Sequence, residues 1–167
     1  MTDDMSEILA HLRIRKVLER YCRGIDRVDV DLINDSYWDD STSNYGVYVG
    51  PGAGFAAAMA PQLAVAYTQT MHVLGQSYIE VDDAFATSET YFVAYHVRPD
   101  GVGTCVDVAG GRYVDLFEER RNEWRIKERT VVMEWTETRA GLENANLRLN
   151  DFTRGHRDRS DLSYRLP

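Results

Sequence analysis

Between residues 72 and 135 the chain spells out long β-forming segments with almost nothing between them. They are HVLGQSYIEVD (72–82), TSETYFVAYHVR (87–98), and the pair GGRYVDLFEER and EWRIKERTVVMEW joined through Arg121 and Asn122. The joints DDA, RPDGVG and RN are too short for a parallel crossover, which needs a dozen or more residues. These strands must therefore pair antiparallel, as a meander. Helical patterns come first and sheet afterwards, so the fold class is α+β, with the sheet wrapped over the N-terminal helices.

The first helix is written in apolar residues at positions 14, 17, 18, 21, 22 and 25, which follow the helical period from Asp3 or Ser6 to about Ile25. Gly24 weakens its last turn. DRVDVDLINDSYW suggests a second short helix with Val30, Ile33 and Tyr37 on one side. DDSTSNYGVYVGPGAG reads as a turn, one or two short strands and a second turn. FAAAMAPQLAVAY is then a helix interrupted at Pro61. After Trp135 the apolar pattern fades, so residues 1–136 are expected as one domain. Residues 137–167 are expected as a charged tail, solvated or laid across a neighbouring subunit.

Composition removes several classes of function. A chain of 167 residues with 44% hydrophobic content suits one core. With 19 Lys+Arg against 27 Asp+Glu, and no basic run interleaved with aromatics, nucleic acid is not an expected partner. No apolar run approaches the ~18 residues of a membrane span, and MTDDMSEILAH is acidic, unlike a secretory leader, so a soluble cytoplasmic protein is expected. Cys22 and Cys105 have no metal-like spacing and read as free thiols. GPGAGF at 50–55 sits between strand and helix, but Pro51 and the short spacing speak against a dinucleotide site and for a tight turn. Phosphate-loop, serine-hydrolase and zincin signatures are absent. His11, His72, His96 and His156 are not spaced as i, i+3 or i+4 ligands, so no metal is expected.

Three residues stand out chemically. In RYCRGIDRVD, Asp26 finishes an i±4 ridge of Ile14, Leu18 and Cys22, so its carboxylate must find water, a cap or a partner. The alternative to a site is that it accepts backbone N–H bonds at the N-terminus of the next helix. His72 opens a β segment beside Met71 and Val73, where a structural histidine is the commoner meaning. Arg129 sits where the buried face of EWRIKERTVVMEW switches from even to odd positions, on the parity of Val131, Met133 and Trp135. It points either into a cavity or into a cross-strand ion pair with one of the many glutamates.

RYCRGID, YWDD at 37–40, YVGPGAG at 48–54, MHVLG at 71–75 and GRYVDLFEERRNEWRIKER at 111–129 together resemble the SnoaL-like group of the nuclear transport factor 2-like superfamily, over residues 5 to 136. The resemblance implies a cone-shaped barrel, a strongly curved and mainly antiparallel sheet around N-terminal helices with one deep pocket. Its dehydrochlorinase and scytalone-dehydratase type enzymes pair a helix-one Asp with a His at the start of a long strand, which implies a catalytic Asp26 and His72. Arg129 matches an arginine lining the dehydrochlorinase pocket, and Tyr21, Phe92, Tyr113 and Met133 fall on substrate-binding walls. Tyr21 stands where the dehydrochlorinase has lysine, which argues against halide chemistry. The implied activity is a cofactor-independent lyase that abstracts a proton and eliminates water, halide or a small aldehyde from an apolar, aromatic small molecule. Isomerisation of the ketosteroid type, or a non-catalytic role like that of dioxygenase β subunits, are the alternatives. The expected assembly is a homo-oligomer, dimer or trimer.

Overall fold

The structure is a computed structural model that describes residues 2–101, 103–140 and 151–165. Helix α1 (Thr2–Arg27) and the short α2 (Val30–Asn34) lead into strand β1 (Tyr37–Asn44), β2 (Val49–Pro51) and helix α3 (Gly52–Ala66). Four long strands follow: β3 (Gln69–Asp82), β4 (Phe85–Asp100), β5 (Gly103–Arg120) and β6 (Glu123–Ala140). They form one curled sheet in the order β2-β1-β6-β5-β4-β3, in which β1 runs parallel to β6 and every other pair is antiparallel. The α+β architecture expected from the short joints is what the chain adopts. No described helix is long and apolar enough to cross a membrane.

The stripe of α1 lies against the concave face of the sheet. Ile14, Val17, Leu18, Tyr21, Cys22 and Ile25 are all buried, packed with Phe92, Tyr113, Phe117 and Trp124. Arg121 and Asn122 both take positive φ, 55° and 65°, the two-residue turn that matches strand twist. The parity switch in β6 is a β-bulge: Phe117 pairs with Ile126 but Leu116 with Glu128, leaving Lys127 over. A second bulge leaves Glu134 over opposite Gly110 and Gly111, and a third interrupts β3 between Leu74 and Ser77. Each bends its strand and sharpens the local twist, which curls the sheet round the helices.

Several local expectations need correcting. Helix α1 runs through Gly24 to Arg27, and a Cβ at position 24 would lie 2.8 Å from Ile33 Cγ1, so glycine lets α2 approach. Tyr37 opens β1 instead of extending α2, and its ring is fully buried. Pro61 does not interrupt α3, because proline and Ala57, whose carbonyl it leaves without a helical partner, both lie on the exposed side. The boundary at 136 falls inside β6. Residues 151–165 pack on the helices of their own chain: Arg157 Nη1 donates to the carbonyls of Leu63 and Tyr67, Arg159 to Asp31, and the Tyr164 hydroxyl to Asp29. Helix ends and the α1–α2 corner leave acceptors open, and these side chains fill them. The expected tail's residues 141–150 and 166–167 lie outside the described residues.

Candidate active site

Strand β3 is an edge of the sheet, and α1 runs along it. The last full turn of α1 brings Asp26 to the start of β3, where Oδ1 lies 2.7 Å from His72 Nδ1 and Oδ2 accepts the His72 backbone N–H at 3.0 Å. Both side chains are nearly buried, with 14% and 7% of their surface exposed. The helix-capping role goes to Asp29, which accepts from Leu32 N, so Asp26 is left for the histidine. A carboxylate has no proton to give, so Nδ1 is the donor, and in the neutral ring the lone pair is on Nε2. No described residue hydrogen-bonds Nε2. Burial pushes the Asp26 carboxyl up, but the His72 ring bond, its charge and its backbone N–H outweigh that, leaving Asp26 below the usual carboxylate range.

Two clefts share Asp26, and His72 lines one of them. One of about 540 Å³ is lined by Asp26, Thr70, Met71, Tyr95 and Gly155; the other, of about 480 Å³, by Cys22, Asp26, His72 and Leu74. A second imidazole stands beside the first: the His96 ring lies 5.6 Å from that of His72, nearly perpendicular, and 4.9 Å from Tyr67. Burial, and after it the His72 charge, hold His96 down at about 4, so it is neutral at pH 7. Sequence reasoning passed over His96 as a site residue, although Phe92, Ala94 and His96 share one parity and the first two are buried.

The interior beyond the dyad is aromatic and polar together. Arg129 is fully buried and faces Asp115, its direct cross-strand partner, through Nε and Nη2 at 2.7 Å each. The cross-strand ion pair is therefore real, but it is internal and made with an aspartate instead of a surface glutamate. Tyr21 and Tyr113, nearly perpendicular to each other, put their rings 4.3 and 4.2 Å from the guanidinium, and its Nη1 is buried without a partner among the described residues. Burial works against the Arg129 charge, but Asp115 overcomes this and keeps it protonated. Burial likewise pushes the Asp115 carboxyl up, with Arg129 opposing.

Three tyrosine hydroxyls run in series. Tyr45 donates to Tyr21 at 2.8 Å, so the 2.5 Å contact between Tyr37 and Tyr45 must use the proton of Tyr37. The Tyr21 proton is then unspent among the described residues. Phe92 stacks on Tyr113 at 4.4 Å, so Tyr21, Phe92 and Tyr113 converge on one interior. Met133 does not join that enclosed group: opposite Gly111, beside the second bulge, it is 48% exposed. Among the described residues no group of three or more His, Cys, Asp or Glu is placed to hold a metal, and Cys22 and Cys105 are free and buried.

The SnoaL-like domain family matches residues 6–130. No curated protein matches the sequence significantly. Among solved structures, a hexachlorocyclohexane dehydrochlorinase, LinA type 2, is similar with a TM-score of 0.74 at 18% identity, covering 85% of this chain and 97% of that one. A protein described as a scytalone dehydratase from Novosphingobium aromaticivorans reaches 0.71 at 16% identity, over 87% of this chain and 99% of its own. A protein from Kribbella flavida reaches 0.69 at 20%, over 76% and 92%. At these identities the likeness speaks for the fold.

Proposed function

The chain belongs to the SnoaL-like domain family, and from that membership and the geometry at β3 we propose that it is a cofactor-independent lyase acting on an apolar, aromatic small molecule. The observation that carries this reading is the 2.7 Å contact between Asp26 Oδ1 and His72 Nδ1, with Nε2 left unengaged. Asp26 fixes the ring and stabilises its protonated form, so Nε2 acts as general base on an acidic C–H. The electron pair released from that bond forms a double bond, and the leaving group departs from the neighbouring carbon with its own pair. Fold relatives that include a dehydrochlorinase and a protein described as a scytalone dehydratase support the same reaction class.

The interior favours an oxygen leaving group over halide. Arg129 is already neutralised by Asp115, so it offers a departing anion the N–H groups of Nη1 and little net charge. The Tyr21 hydroxyl, polarised by Tyr45 and Tyr37 behind it, supplies the proton that a leaving hydroxyl needs. Arg129, packed against Tyr21 and Tyr113, holds these walls in place.

The test is turnover without added cofactor, following new conjugation by ultraviolet absorbance over a panel of aryl alcohols and diols. His72→Ala and Asp26→Asn should each lower the rate by about 10²–10⁴-fold, the usual worth of a positioned base, with circular dichroism unchanged. Wild-type rates from either variant would remove the dyad mechanism. Mass spectrometry of the product separates elimination, which loses the mass of the leaving group, from isomerisation, which loses nothing.

A further inference from the structure

The helices pack on the concave face of the sheet, and the opposite face of β3–β6 carries apolar side chains where the solvated face of an antiparallel sheet should be polar. Strand register sets them in adjoining rows. Met71 stands beside Tyr95, and in the next row Val73, Val93, Gly110 and Trp135 cross all four strands. Tyr91, one row further, meets Arg112 and then Val132. Met71, Val73, Tyr91 and Trp135 keep 54, 48, 41 and 47% of their surface exposed. The Trp135 indole lies over Gly110, where a Cβ would collide with it, and a groove of about 300 Å³ opens between this ring, Val73, Tyr91 and Val93.

Charges on this face are spent on one another. Arg112 Nε donates to Glu134 at 2.7 Å and Nη1 to Glu89 at 3.1 Å, and Arg139 Nε donates to Glu137 at 2.9 Å. Neither cation is left to hold an anionic membrane, and a chain of net charge -8 is repelled by one. A foreign protein is selected by charges complementary to its own, and these paired charges offer it little, whereas a second copy brings the same neutral, apolar rows. The area agrees. Strands of 14 to 18 residues at ~3.4 Å per residue, four abreast at ~4.8 Å, present roughly 900 Å², against the ~800 Å² that each partner in a stable complex buries. Met, Tyr and Trp are also the side chains that the centres of interfaces gather.

We propose that this face is the interface between copies of this chain, packed sheet to sheet with Trp135 and the groove beside Val73 at its centre. Sheets packed face to face interdigitate their side chains, and the indole and groove of each copy supply the ridge and the hollow for that. Met71 and Tyr95 also wall the 540 Å³ cleft that reaches Asp26, so the partner closes the outer side of that cleft. This association needs nothing from the lyase reading, and its test involves no turnover.

The experiment is analytical ultracentrifugation of the full-length protein. Wild type should sediment at a multiple of the monomer mass. Trp135→Lys should raise the dissociation constant at least about 30-fold, as loss of a central aromatic anchor does. Its circular dichroism should not change, because the ring is half exposed in the single chain. Val73→Lys, in the same row, should have the same effect. Leu12→Lys, which places the charge on the exposed apolar side of α1 beside Ile8, should leave the assembly intact. A monomeric wild type, an assembly that survives both Trp135→Lys and Val73→Lys, or one lost only in Leu12→Lys would overturn the proposal.

Discussion

Removing the charge of Asp115 while keeping its shape, as Asp115→Asn, asks how the interior tolerates Arg129 alone. Both partners are wholly inaccessible, and two charge-assisted bonds of 2.7 Å join them. Breaking a buried pair from one side leaves an uncompensated ion and costs about 3–5 kcal/mol. Two rings at 4.2 and 4.3 Å offer the guanidinium some compensation of their own, which places the cost at the lower end, about 3 kcal/mol. For a chain of this size each kcal/mol moves the melting temperature by about 2–4 °C, so a fall of about 6–12 °C is expected. Thermal unfolding followed by circular dichroism at pH 7 measures it. The double variant Asp115→Leu with Arg129→Met should recover most of the loss, because it leaves no orphaned charge. A melting temperature within about 2 °C of wild type for Asp115→Asn, or a double variant no better than the single, would refute the reasoning.

His96 should make the fold acid-labile. The unfolded chain takes up this proton near the ordinary imidazole value of 6.5 and the folded one only at about 4, so stability contributed by the neutral ring is lost as pH falls between the two. His96→Gln should flatten the melting temperature over that window, as read by scanning fluorimetry from pH 7 to 4. Gly111→Ala should destabilise by about 1–3 kcal/mol in urea unfolding, since its Cβ would lie 2.4 Å from the Val132 carbonyl and 3.1 Å from the Phe92 ring.

What could be read from the sequence follows from which forces leave a period in it. The meander was legible because two-residue and similarly short joints exclude crossovers, and α1 because its stripe is regular. Asp26 was noticeable as a charge on an apolar ridge, and Arg129 as a break in alternation that proves to be a bulge at Lys127. Asp115 carries the same kind of mark, a charge among Gly111, Tyr113 and Phe117 on the inward parity, and was missed because β5 was read as strand alone. Tyr37 was misplaced because a short helix and a strand start share the same few residues, and the parallel pairing of β1 with β6 decides between them. The C-terminal segment left no signal at all. It is held by Arg157, Arg159 and Tyr164 reaching carbonyls and carboxylates, contacts that need no apolar periodicity.

The position of Asp26 has a meaning for solubility as well as for chemistry. A long edge strand with free N–H and C=O groups invites another chain to add to the sheet. Along β3, Asp26 occupies the His72 N–H and Arg15 occupies the Gly75 carbonyl, so two side chains of one helix seal a donor and an acceptor of the open edge. The acid that aims the imidazole is therefore also a guard against strand addition. A substitution there that cannot accept a hydrogen bond, such as alanine, would release the imidazole and expose the edge in one step, whereas asparagine would keep an acceptor for the edge.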